Sequence, residues 1–312
     1  MSAALRDRRA RWHYRELAAD LGVEVRENEP LARHTTLGVG GPARWFFAPA
    51  TLEQAARLWA ELSSGPLPVR LLGAGSNLVV ADEGVCAAVI ATDRLAPPPE
   101  RLERAEIRVG AGQPIPGLVR WCAAEGLAGV EFAEGIPARA GGALRMNAGA
   151  NRGSFGAIAR VVLVATPDGS IAEHVVSPDD FGYRTSFVAR ERLFVLGARL
   201  ALSEDEPEAI RARIRRFRER RRASQPLQER SAGCIFANYP GQSVGALVER
   251  MGLKGRREGD AEVSRVHGNF IVNRGAARAR DVRALIDLLR EALERETGIE
   301  PRLEVELWTD DA

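Results

Sequence analysis

VRLLGAGSNLVV, residues Val69–Val80, is the stretch whose reading decides the fold. Val69 to Leu72 reads as a short strand that opens into Gly73-Ala74-Gly75-Ser76-Asn77. A strand running into Gly-x-Gly points to phosphate, because residues without a Cβ let backbone amides approach a ligand closely. The dinucleotide fingerprint of the doubly wound fold needs a third glycine where a helix begins. Leu78 stands there instead, and a strand follows rather than a helix. A doubly wound sheet is therefore excluded and phosphate binding is kept, although an ordinary tight turn explains this loop equally well when it is taken alone.

Outward from this loop the chain alternates strands and helices. Ala43 to Phe47, Val85 to Ile90, Ile107 to Val109 and Phe194 to Leu202 read as strands; Leu52 to Leu62 and Ile115 to Glu125 read as helices, the second ending at Gly126. Val161 to Thr166 and Ile171 to Val176 flank Pro167-Asp168-Gly169 as a hairpin. An acidic turn, Ser203 to Pro207, marks a domain boundary. Beyond it, helices are expected at Glu208 to Arg222, Val244 to Met251 and Ala279 to Thr297, with strands at Phe270 to Val272 and Leu303 to Leu307. Two more glycine-rich loops, Gly38-Val39-Gly40-Gly41 and the run from Gly135-Ile136-Pro137 through Gly141-Gly142 to Asn147-Ala148-Gly149, join the first. Three such loops suit a large ligand carrying a diphosphate.

The 312 residues, 45% apolar and 28% charged, suit a soluble globular protein of two or three domains. A net charge of +2 points to no particular partner. Arginines interrupt residues 1–20, so a signal peptide is not expected, and no apolar run is long enough to span a bilayer. Cys86, Cys122 and Cys234 are too few and too widely spaced for a disulfide framework or a zinc site, which fits a reducing cytosol. Cys86 and Cys122 lie in apolar stretches and are expected in the core.

Eight motifs in order carry a resemblance: HTTLGVGGPA (His34–Ala43), LGAGSN (Leu72–Asn77), GVEFAEGIP (Gly129–Pro137), GGALRMNAGA (Gly141–Ala150), FGYRTSF (Phe181–Phe187), SAGCIFAN (Ser231–Asn238), GLKG (Gly252–Gly255) and HGNFIVN (His267–Asn273). From about Leu31 onward the chain resembles the UDP-N-acetylenolpyruvoylglucosamine reductase (UDP-N-acetylmuramate dehydrogenase) family. The short path from Phe187 to Phe194 matches its shorter subclass, which lacks a tyrosine-bearing insertion. The resemblance implies an α+β fold: a two-lobed FAD-binding domain of the vanillyl-alcohol-oxidase (PCMH) type at 29–203, with lobes at about 29–92 and 93–203, and an α+β substrate domain at 204–312. Residues 1–28 are expected to form an N-terminal helical extension. The implied cofactors are FAD and NADPH. The implied flavin contacts are Gly38, Gly40, Gly73, Gly75, Ser76, Asn77, Gly135, Ile136, Pro137, Gly141, Asn147 and Gly149.

The resemblance also implies a reaction, reduction of an enolpyruvyl ether on UDP-N-acetylglucosamine in peptidoglycan synthesis. Negative charge built up beside the substrate carboxylate must be stabilised and then protonated. Arg184 matches the family's catalytic arginine, and its planar guanidinium suits a carboxylate gaining charge. Cys234 stands where the family usually has a proton-donating serine; an ordinary thiol, titrating near ~8.5, is a far stronger acid. Family spacing from Gly298 lands on Glu304, whereas a shifted frame would pick Glu306. In a strand running from Leu303 to Leu307 the two glutamates share a face, so geometry does not separate them. Tyr183, Arg184, Asn238 and His267 are the implied substrate contacts.

The family's Gly-Ile-Pro-Gly-Thr-Val-Gly-Gly loop has Ala138-Arg139-Ala140 at its centre here, and Ser224 replaces a frequent lysine, a charge that Arg221 or Arg222 could supply. Two rival readings are weaker. Eight arginines between Arg211 and Arg222 suggest nucleic acid, but only Phe217 accompanies them, and a solvated helix face explains them better. An FAD-dependent alcohol oxidase of related fold would have little use for Arg184 together with Cys234. The expectation is a cytoplasmic monomer with no nucleic-acid, membrane or metal partner.

Overall fold

The computed structural model describes residues 14–310, in two compact units. The first comprises the chain up to Glu29, Arg44–Gly73 and Cys86–Phe217. The second comprises Pro30–Ala43, Ala74–Val85 and the chain from Arg218 onward. The units are drawn differently from the linear division expected at residues 203–204. Two glycine loops from the first quarter of the chain, 34–41 and 74–77, belong with the C-terminal segment.

The first unit has two sheets. One runs in the order Glu24–Pro30, Pro42–Ala48, Val85–Ala91, Val69–Leu72, and its last pair is parallel. Helix Leu52–Ser63 packs Ala55, Leu58, Trp59 and Leu62 inward, and a Thr51–Gln54 capping box closes its N-terminus. Residues 14–21 are helical, and Tyr14 is buried against the rings of Trp45 and Phe47 at 5.4 and 6.4 Å. Of the expected N-terminal extension, residues 1–13 lie outside the described residues. The second sheet has the order Ile171–Val175, Ala159–Ala165, Phe194–Ala201, Glu106–Gly110, Glu100–Arg101, and includes the expected hairpin. Helix Ile115–Ala124 buries Leu118, Val119 and Cys122, and the chain turns out of it at Gly126 with φ +68°.

Burial holds the Cys122 thiol protonated by pushing its pKa up to about 12. Cys86 corrects its expectation: it is exposed. Its strand is apolar along nearly its whole length, but the period of two turns this one side chain to solvent.

The second unit packs helices Val244–Arg250 and Ala279–Thr297 on a four-stranded sheet of order Arg230–Cys234, Phe270–Asn273, Ala261–Val263, Arg257–Glu258. Glu306–Trp308 pairs in parallel with Leu78–Val80, so the strand expected after the Gly73–Asn77 loop is present. Asp82, just beyond it, accepts the N–H groups of Ala279 and Arg280 at 2.8 and 3.0 Å and caps the long helix. The strand expected from Leu303 to Leu307 is a correction. Leu303 makes an isolated bridge to Phe236, the chain bends at Val305, and the strand begins only at Glu306.

Candidate active site

Cys234 is aimed by a bulge. Arg230 pairs with Asn273 and Ser231 with Val272, but the next pair is Cys234 with Phe270, one residue out of step. Gly233 absorbs the extra residue at φ +77°, a conformation that favours glycine. A one-residue slip reverses which face a side chain points from, so the bulge sets the side on which the thiol emerges. The loop beyond is locked by Asn269, which is buried. Its amide donates to Phe236 O at 2.7 Å, its side-chain oxygen accepts from Phe236 N–H at 3.0 Å, and its carbonyl accepts from Ile235 N–H.

Glu304 lies directly alongside. Its N–H donates to Ile235 O at 2.8 Å, one residue past Cys234, and its carbonyl accepts the side-chain amide of Asn77 at 2.9 Å. Glu306 donates its N–H to Asn77 O instead. Because of the bend at Val305, Glu304 and Glu306 do not lie on one continuous strand as the expected range implied. The expected loops 34–41 and 74–77 meet in this same unit. Thr36 donates its N–H to Gly75 O and its hydroxyl to Ser231 O at 2.6 Å. Gly75, at φ +59°, sits so close to His34 that a Cβ would fall 2.1 Å from the His34 carbonyl oxygen. A Cβ on Gly40, at φ +129°, would fall 2.8 Å from that of Val80.

Of the implied substrate contacts in this unit, Asn238 is exposed and its side chain accepts the N–H of Val244. His267 packs against Gly245 and the Phe270 ring, and its Nδ1 accepts the Asn269 N–H. Burial, assisted by Lys254, lowers its pKa, and accepting that bond requires Nδ1 unprotonated. The hydrogen bond and packing give His267 a structural duty of its own.

Arg184 belongs to the first unit, on the two-residue turn of a hairpin that pairs Gly182 with Thr185. It has φ +58°, a left-handed conformation that costs a side-chain-bearing residue about 1–2 kcal/mol. Its guanidinium donates to Gly149 O at 3.3 Å and lies 5.5 Å from the centre of the exposed Tyr183 ring. Asn147 braces the turn through Gly182 O.

Two implied flavin loops also meet in this unit. A Cβ on Gly73 would face only Arg139, at 3.9 Å, and a Cβ on Gly142 would meet no protein atom within 4 Å. Gly141 differs: its N–H is bonded to Ala111 O and a Cβ would lie 3.0 Å from that of Ala111, so packing requires it. Gly135 turns at φ +75° ahead of Ile136 and Pro137. Arg139, the departure from the family loop, donates to Gly112 O at 2.6 Å. Half-buried glycine backbone facing open space beside an arginine fits the close approach of an anionic dinucleotide such as FAD. Asn269, Thr36 and Asp82 were not singled out by the sequence reading, and Gly142 was noted only as part of its glycine-rich loop. Only a polar residue within the apolar end of HGNFIVN, and the second glycine of Gly141-Gly142, offered a signal.

These lobes and open glycine loops define an α+β FAD-binding oxidoreductase. The profile of an FAD binding domain matches residues 43–174, and that of the UDP-N-acetylenolpyruvoylglucosamine reductase C-terminal domain matches residues 225–308. The UDP-N-acetylenolpyruvoylglucosamine reductase of Moorella thermoacetica is 42% identical over 295 residues, spanning 94% of this chain and 96% of its own. UDP-N-acetylenolpyruvoylglucosamine reductase 2 of Symbiobacterium thermophilum is 40% identical over 296 residues, spanning 94% and 95%. The crystal structure of the UDP-N-acetylenolpyruvylglucosamine reductase from Thermus caldophilus superposes with a TM-score of 0.77 at 40% identity, over 92% of this chain and 99% of that one. The chain belongs to the UDP-N-acetylenolpyruvoylglucosamine reductase family.

Proposed function

We infer that this chain reduces UDP-N-acetylglucosamine enolpyruvate to UDP-N-acetylmuramate in peptidoglycan precursor synthesis, with NADPH as reductant and with Arg184, Cys234 and Glu304 as the working side chains. FAD, when bound, supplies the two-electron transfer from NADPH to the enolpyruvyl alkene. Gly73 and Gly142, on the loops of the first unit that carry Arg139, would hold it. The chain's own residues do the rest. The Arg184 guanidinium pairs with the substrate carboxylate as that group gains negative charge. The Cys234 thiol gives its proton to the carbon beside the carboxylate, and Glu304 polarises the carboxylate.

The observation that supports the reading is the Glu304 N–H bond to Ile235 O, which runs the Glu304 backbone alongside the bulge that carries Cys234. Oxidation of an alcohol calls for a base and not a proton donor, and would have little use for Arg184 together with Cys234. The test separates two steps on holoenzyme. Cys234→Ala should leave flavin bleaching by NADPH intact and abolish product, and Cys234→Ser should restore much of the turnover. Normal turnover of the alanine variant would remove the thiol from the mechanism. Glu304→Gln should slow product formation far more than Glu306→Gln; the reverse ranking means that the neighbouring frame is correct.

The same reading takes the protein to be a cytoplasmic monomer that binds no nucleic acid. No helix among the described residues is long and apolar enough to cross a membrane, and gel filtration checks the monomer.

A further inference from the structure

Glu304 is held at both ends of its own backbone. The N–H faces Ile235 O, and the carbonyl faces the Asn77 side chain. The bend at Val305 explains why a side chain is needed. Parallel pairing with Leu78–Val80 begins only at Glu306, and the Asn77 side chain takes the Glu304 carbonyl that precedes it. Asn77 is the residue where the glycine loop becomes that strand, and it grips the glutamate segment twice, through its amide on Glu304 O and through its own carbonyl on Glu306 N–H, each at 2.9 Å. Its loop is fixed in turn, because Gly75 is wedged against His34 and bonded to Thr36.

We infer that Asn77 is the positioning residue for the Glu304 carboxylate: its side-chain amide links the glycine loop to the backbone from which Glu304 acts. The inference rests on Glu304 being the working carboxylate. A cofactor contact alone would not require the Asn77 amide to point at Glu304 O. A group misplaced by about 1 Å can lose a rate factor of roughly 100, so loosening this link should be read in the rate of product formation.

The experiment is a double-mutant cycle on holoenzyme with Asn77→Ala, Glu304→Gln and both together. Four quantities are read: FAD retention by flavin fluorescence, thermal midpoint, flavin bleaching by NADPH, and product formation by enzyme already reduced with NADPH. Asn77→Ala is expected to slow product formation per bound, NADPH-reduced flavin roughly 10- to 100-fold. The double variant is expected to be no slower than Glu304→Gln alone. Equal slowing by Asn77→Ala whether residue 304 is glutamate or glutamine would show that Asn77 acts independently of Glu304, and would overturn the inference. If Asn77→Ala retains little FAD, Asn77→Asp, which keeps the shape and removes the donor, runs the same cycle. Weakened FAD retention in both variants, with normal product formation per bound flavin, also overturns it. Unimpaired product formation by Glu304→Gln would instead remove the reading on which the inference stands, and is distinguishable because it needs no change at residue 77.

Discussion

The side-chain amide of Asn147 donates to the carbonyl of Gly182 at 2.8 Å, while its oxygen accepts the Gly156 N–H at 2.9 Å. One asparagine thus joins the Asn147–Gly149 loop to the hairpin that displays Arg184, and Gly149 O receives the guanidinium itself. Asn147, expected as a flavin contact, has its side chain engaged inside the protein.

Asn147→Ala is therefore expected to act through Arg184. Stopped-flow measurements should show NADPH reducing the flavin normally and product formation slowed by about 10- to 100-fold, with a raised KM for the enolpyruvyl substrate. A variant that loses FAD but turns over normally once reloaded would assign Asn147 to the cofactor instead.

Two glycine substitutions separate packing from ligand approach. Gly142→Ala meets no protein atom and lies within helix Ala140–Arg145, so the protein without FAD should keep or raise its thermal midpoint. Its FAD affinity, measured by fluorescence titration, should nevertheless fall. Gly75→Ala places a methyl group 2.1 Å from the His34 carbonyl oxygen at a positive φ, and should lower both the thermal midpoint and FAD affinity. Equal FAD affinity for wild type and Gly142→Ala would show that the open space there is not used by the cofactor.

Acid stability should depend on Glu262. This buried carboxylate accepts from Arg274 at 3.0 Å and Arg265 at 3.1 Å and also pairs with Arg257. Chiefly the Arg274 hydrogen bond, supported by Arg257 against the opposing effect of burial, lowers its pKa from the ordinary 4.5 to about 2. A depressed carboxylate pKa stabilises the fold fully above the unfolded value and loses that stabilisation as pH falls through the folded value. The shift corresponds to roughly 3 kcal/mol, lost between about pH 4.5 and pH 2. Urea melts of wild type and Glu262→Gln should converge across that window. At neutral pH the variant should be less stable by about 3 kcal/mol, because it removes the buried charge that Arg257, Arg265 and Arg274 share as an acceptor.

Thiol labelling should follow exposure. Under native conditions, iodoacetamide should modify Cys86, which is exposed, and spare Cys122, which is buried with its pKa pushed up to about 12. Peptide mapping distinguishes them. Cys86→Ser should label less and retain full activity, so that any inactivation remaining, and any protection by bound substrate, reports Cys234.

The run Val69–Val80 by itself excluded a doubly wound sheet, because Leu78 stands where the fingerprint needs its third glycine and a strand follows. Helices Leu52–Ser63 and Ala279–Thr297 were legible because amphipathic period and capping are local properties. Arg184 and Cys234 were legible through motif order, since each sits in a short run of distinctive residues. The exposure of Cys86 and the bend at Val305 were not legible. Both depend on what lies across from the strand, which a one-dimensional pattern does not contain.

Tertiary structure alone decided how Glu304 differs from Glu306. Alternation made them equivalent, and hydrogen bonds from residues about 70 and 230 positions away in the chain, Ile235 and Asn77, made them distinct. The sequence by itself determined most element types and the glycine loops, because these are set by side-chain chemistry and near-neighbour period. The pairing partner, the bulge register at Cys234 and the gathering of loops 34–41 and 74–77 with the C-terminal sheet came only from folding, because each depends on contacts between distant segments whose energies no local window records.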